Sequence, residues 1–224
     1  MKGLFIKDLC LLSQHKLYIF LILALAIIMN GGTANGNFII GYLVMFGTIF
    51  GNSTFSYDEL DNSTPFLMTL PVTKKQYVGE KYVLNLIVSS VCWILAITCS
   101  LGLMYLNGAL SSAAVPEFAA EVLLFLPIAY IISAVLLPFE FRFGHQKGTL
   151  VLFACVIACA GIIYFAVKNF SSSAALLDVL SRVNTLSLSD VFAGIGILFI
   201  LSLLLQMISY AISVRVYDLT GRNS

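Results

Sequence analysis

The sequence predicts an all-α integral membrane protein with six transmembrane helices and both termini in the cytoplasm. Three observations predict it. Six long apolar stretches carry almost no ionisable side chains. The chain is 60% hydrophobic and 10% charged, whereas a soluble domain is about 45–50% apolar and about 25% charged. Nearly every Lys and Arg falls in alternate gaps between the apolar stretches. No soluble fold could cover this much apolar surface, so lipid is the solvent for most of it. A net charge of +1 gives no clustered basic face of the kind nucleic acid requires. At about 20 residues per span, 224 residues make one membrane domain over 1–224 and leave no room for a soluble catalytic domain.

The spans follow in order. The first covers about Leu17 to Met29, the second about Phe38 to Phe55, and the third about Tyr82 to Leu106. The fourth covers about Val122 to Phe139, ended by Pro138; the fifth about Leu150 to Val167; the sixth about Val191 to Val214. Gly41, Gly47 and Gly51 lie in the second span, which small residues suit to an interior position. The first span has the basic start of a signal peptide. A short polar turn, Asn30 to Asn37, leads straight into the next span, so it reads as an uncleaved helix.

Charge fixes the orientation. Lys2, Lys7 and Lys16 precede the first span, and Lys74, Lys75 and Lys81 precede the third. Arg142 and Lys147 follow the fourth, and Arg215 and Arg222 follow the sixth. Only Lys168 and Arg182 fall on the other side. The positive-inside rule places the richer side in the cytoplasm.

Residues 1–16 read as an interfacial helix. Phe5, Leu9 and Leu12 share a stripe, with Lys7, Asp8, Gln14 and His15 mostly opposite and Leu4 and Leu11 off it. A basic extension of the first span is the alternative. The cytoplasmic loop 57–81 holds two helix starts. Thr64 caps a helix with Pro65 at its first position. Thr73 and Gln76 form a capping box. The short helix between them, about Pro65 to Leu70, is apolar (Phe66, Leu67, Met68, Leu70) and stopped by Pro71. It lies between acids (Asp58, Glu59, Asp61) and bases (Lys74, Lys75). Apolar side chains between charged rims make a docking element; a helix resting on the membrane surface is the alternative.

The second cytoplasmic loop carries Arg142, His145 and Lys147, with Gly144 and Gly148 permitting a tight turn. His145 reads as an ordinary loop residue. The outer gap 168–190 contains an apolar stretch, Ala174 to Val183, either a re-entrant or a plain surface helix.

No P-loop, H-E-x-x-H or G-x-S-x-G occurs, so no ATP is bound through a P-loop and no catalytic residue is assigned. No cofactor or metal site is assigned; Cys155 and Cys159, four apart in the fifth span, read as packing residues. No Asp, Glu, Lys or Arg lies deep in a span, where ion-coupled transporters keep such groups. An apolar interior suits a greasy or amphipathic substrate and an external energy source.

The chain resembles the permease subunits of ABC-2 family ATP-binding-cassette exporters, in bacterial systems where permease and ATPase are separate polypeptides. Met1-Lys2-Gly3-Leu4-Phe5-Ile6-Lys7-Asp8-Leu9 is similar to the family's N-terminal amphipathic helix. Leu70-Pro71-Val72-Thr73-Lys74-Lys75-Gln76-Tyr77-Val78 through Glu80-Lys81-Tyr82 resembles a family segment, and Pro138 to Lys147 resembles its loop after the fourth helix. The likeness extends to permeases that export amphipathic peptides. It implies an ABC-2 type exporter fold in the plasma membrane, a dimer (two copies or two related chains), and two bound ATPase subunits. It also implies a coupling helix within 58–81 and short re-entrant helices between the fifth and sixth spans. An immunity or sensor protein that binds a peptide toxin without transport is the rival; an intramembrane enzyme and a secondary transporter fit less well.

Overall fold

A computed structural model describes residues 2–14, 16–30, 37–60, 73–108, 115–144 and 187–219, with isolated positions between 150 and 165. The order is α1 (Lys2–Gln14), α2 (Lys16–Asn30), α3 (Asn37–Leu60), α4 (Lys74–Leu106), α5 (Val115–Phe143) and α6 (Leu188–Leu219). No strand occurs among the described residues. Helices are the expected solution in lipid, because each helix satisfies its own backbone polar groups.

Among the described residues, four helices are long and apolar enough to cross a membrane: α3, α4, α5 and α6. The α1–α2 pair passes the same test together but bends by 53° at its break. That bend fits an interfacial helix before the first span and equally a first span broken at the bend. The predicted fifth span and the outer gap 168–186 lie outside the described residues, apart from isolated positions.

At 1.5 Å per residue, the 33 residues of α4 reach about 50 Å, well beyond a hydrocarbon core of about 30 Å. Its Lys74–Lys75 end therefore projects on the basic side. The capping box forms as the sequence predicts: Gln76 N–H donates to Thr73 Oγ1 at 3.3 Å, and Thr73 N–H donates to Gln76 Oε1 at 3.1 Å. A second box, unread in the sequence, starts α6: Ser187 N–H donates to Asp190 Oδ2 at 3.3 Å, and Asp190 N–H donates to Ser187 Oγ at 3.3 Å.

The interior position of α3 is borne out. A Cβ added at Gly47 would sit 2.5 Å from the Cys92 side chain on α4. One at Gly41 would sit 2.9 Å from the Phe125 ring on α5. These two glycines let α3 lie close between its neighbours.

Two expectations are corrected. Tyr57 to Leu60 continue α3 as helix rather than opening the loop; of 57–81, only 61–72 lies outside the described residues. Pro138 does not end the fourth span, because α5 runs through Pro127 and Pro138 to Phe143. Proline at 138 cannot donate to the Ala134 carbonyl four residues back. Ser209 Oγ of α6 donates to that carbonyl instead, at 2.5 Å, which is how lipid-embedded helices tolerate proline. Helix α5 stops six residues later, where Gly144 takes a positive φ of 86° and its N–H bonds Glu140 O at 2.9 Å, a left-handed C-terminal cap.

Candidate functional site: an ionic node joining three helices

Residues 61–72, outside the described residues, link two helix ends in sequence, the end of α3 and the start of α4. Both ends converge on one side chain. Lys81 of α4 is buried, and its ammonium donates to Asp8 Oδ2 of α1 and, at 3.2 Å, to Thr54 Oγ1 of α3. Lys7 lies 3.2 Å from the other Asp8 oxygen, and the buried Glu80 adjoins Asp8 and Lys81. Isolated charges are costly to bury. Here opposite charges from α1 and α4 are buried together, with a hydroxyl from α3 completing the ammonium's shell.

Aromatic rings enclose this node. The Lys81 ammonium stands 5.4 Å from the Phe55 ring centre and 5.6 Å from that of Tyr77, within cation–π range. Phe55, Tyr77 and Phe141 meet edge to face, with Phe55 and Phe141 centres 4.6 Å apart. Tyr82 stacks on Phe141, and Tyr217 packs against Tyr77 and Phe141. The cluster joins residues of α1, α3, α4, α5 and α6 in one core.

Two polar seams run from the node into the bilayer. Between α3 and α4, Asn85 Nδ2 donates to Asn52 Oδ1 and to Thr48 O, and Thr48 shares a hydrogen bond with Ser89 at 3.2 Å. Between α6 and its neighbours, the Tyr82 hydroxyl bonds Ser209 at 2.6 Å and Ser213 at 2.7 Å. Gln206 Nε2 donates to Tyr130 O at 2.8 Å and also reaches Ser133 Oγ. Interhelical hydrogen bonds of this kind hold spans together where lipid supplies no hydrophobic drive.

The sequence-predicted residues fall as follows. Pro65, Phe66, Leu67, Met68, Leu70 and Pro71 lie outside the described residues, as do His145 and Lys147. Lys74 is half-buried and Lys75 exposed at the start of α4, and Tyr210 Oη of α6 donates to Lys75 O at 3.4 Å. Arg142 is exposed at the end of α5, its guanidinium 5.1 Å from the Phe143 ring centre.

The reading of α1 is corrected. Its buried face is Leu4, Asp8 and Leu12, while Leu9 is 41% exposed. Asp8 turns inward because its partner Lys81, 73 positions away, is buried there. Sequence reasoning also missed the α6 seam. Its signal was the buried set Ser202, Gln206, Ser209 and Ser213, at helical spacings of four, three and four in an otherwise apolar span.

Among the described residues no group of three or more His, Cys, Asp or Glu is placed to hold a metal ion. The node joins α1, α3 and α4 through the Lys81 side chain. A family model described as "ABC-2 family transporter protein" matches residues 3–218. No curated protein and no solved structure matches the chain.

Proposed function

The chain belongs to the ABC-2 transporter family, and on that premise we propose that it exports an amphipathic or hydrophobic substrate. Peptides, such as toxins or antimicrobial peptides, are the class an apolar pathway suits. Membership of the family carries a permease role in an ABC transporter, with the ATP hydrolysed by an associated ABC ATPase.

In the proposed cycle, ATP closes an ATPase dimer in the cytoplasm. Pro65, Phe66, Leu67, Met68, Leu70 and Pro71, flanked by Lys74 and Lys75, seat in a groove of that ATPase. Its closure displaces the loop. The displacement passes through α3 and α4 and tilts the spans of a permease dimer in the plasma membrane, opening a path outward. The ATPase drives the change because it binds the two states with different affinity.

One observation supports this reading above the others. Lys81, Thr54 and Asp8 join α4, α3 and α1. A push on the loop then moves α1, α3 and α4 as one body, since packed and hydrogen-bonded elements carry displacement together.

The test is purification of the tagged chain from its native membrane in mild detergent, with mass spectrometry of what accompanies it. A stoichiometric P-loop ATPase, lost on Leu70→Asp, is the expected result. Recovery of the chain alone or with only a bound peptide, from membranes that contain such ATPases, contradicts the proposal and favours a non-transporting peptide binder.

A further inference from the structure

A groove of about 390 Å³ lies between α5 and α6, and none of its lining residues belongs to the ionic node. It runs from Ile131 to Arg142 along α5 and from Leu205 to Val216 along α6. Both helices run in the same direction, because their facing hydrogen bonds, Gln206 to Tyr130 and Ser209 to Ala134, advance together. Eleven residue steps on each helix make the groove about 16 Å long. Half of a hydrocarbon core is about 15 Å. The groove therefore spans one leaflet, and it ends where Arg142 and Arg215 stand exposed, on the side that the basic residues assign to the cytoplasm.

Its chemistry divides along that axis. Ile131, Val135, Pro138, Leu205 and Ile212 make the walls apolar. The hydroxyl on its wall, Ser209, is already engaged with Ala134 O and the Tyr82 hydroxyl. The walls thus suit an alkyl chain rather than a polar ligand. The charged group among the lining residues is the Arg142 guanidinium at the cytoplasmic rim, a planar donor suited to phosphate.

We infer that this groove is a binding site for an anionic phospholipid of the cytoplasmic leaflet, one acyl chain between α5 and α6 and its phosphate on Arg142. Basic pockets between transmembrane helices on the cytoplasmic side hold acidic head groups in this way. Its volume falls within the range of ordinary ligand sites. None of its lining residues belongs to the segment proposed to dock the ATPase.

The test is native mass spectrometry of the full chain, delipidated in detergent and titrated with phosphatidylglycerol or phosphatidylcholine. Wild type is expected to retain a first phosphatidylglycerol more tightly than phosphatidylcholine. Arg142→Gln removes a charge-assisted contact and is expected to weaken phosphatidylglycerol about tenfold, to the phosphatidylcholine level. Val135→Trp fills the groove and is expected to weaken both lipids. Arg142 and Val135 are exposed, so neither change removes core packing, and circular dichroism checks the fold. Equal retention of the two lipids by wild type, or undiminished phosphatidylglycerol binding in Arg142→Gln, overturns the head-group assignment. Undiminished binding of both lipids in Val135→Trp overturns the groove itself, whether another part of this chain or a second copy fills it. Because lipid retention needs no ATPase, the result stands apart from the fate of the transport reading.

Discussion

Lys81 and Asp8, 73 positions apart in sequence, form a buried ion pair that fastens α1 to α4. Each side chain is about as buried as any in the protein. Paired they can persist there, and singly each would be a stranded charge.

Removing one partner should therefore be worse than removing both. Lys81→Met leaves the buried Asp8 without the Lys81 ammonium, and Asp8→Asn leaves the ammonium without its carboxylate. Each is expected to cost about 3–5 kcal/mol. The double variant Asp8→Asn/Lys81→Met should recover most of that loss, because no uncompensated charge is left between the two sites. Thermal unfolding in detergent, run as a double-mutant cycle, checks this.

The Ser209–Ala134 bond predicts a second non-additive pair. Ser209→Ala strands the carbonyl that Pro138 leaves free, at a cost of about 0.6 kcal/mol and up to about 1.7. Pro138→Ala restores an N–H that can bond the same carbonyl within α5. In that background Ser209→Ala should cost measurably less, although its bond with Tyr82 is lost in both. Equal costs in the two backgrounds would show that the carbonyl is not what Ser209 serves.

Close approach of α3 and α4 predicts a steric contrast between two glycines. Gly47→Leu forces a side chain into Cys92 and should destabilise by about 1–3 kcal/mol. Gly102→Leu on the same pair's outer helix meets nothing within 4 Å and should leave the melting temperature unchanged or raised, leucine being the better helix former.

Much of this architecture was legible in the sequence because it depends on local rules. The apolar runs gave α3 to α6, Thr73 and Gln76 gave the start of α4, and the glycines of the second span gave its interior position. What escaped depends on partners distant in sequence. Asp8 looks like a solvent-facing residue until Lys81 meets it. Pro138 looks like a terminator until Ser209 supplies the missing donor. The serines and Gln206 of α6 are each unremarkable, and only their common face shows a seam. Charge alternation said which ends were cytoplasmic, but not that those ends close around a shared ionic node.

The transport reading makes the loop and the node parts of one lever, which separates two kinds of failure. Phe66→Asp or Leu70→Asp should abolish docking, so the ATPase is lost from the membrane. Asp8→Asn/Lys81→Met should keep the ATPase bound and hydrolysing while α3 and α4 no longer carry α1 with them.

The most direct test is reconstitution of the permease and its ATPase in vesicles, measuring ATP hydrolysed and amphipathic peptide exported side by side. For the Asp8→Asn/Lys81→Met variant, the account predicts retained hydrolysis with export reduced about tenfold or more, the loss of roughly 1.4 kcal/mol or more of coupling. Export per ATP equal to wild type in that variant, at normal expression and stability, would contradict it.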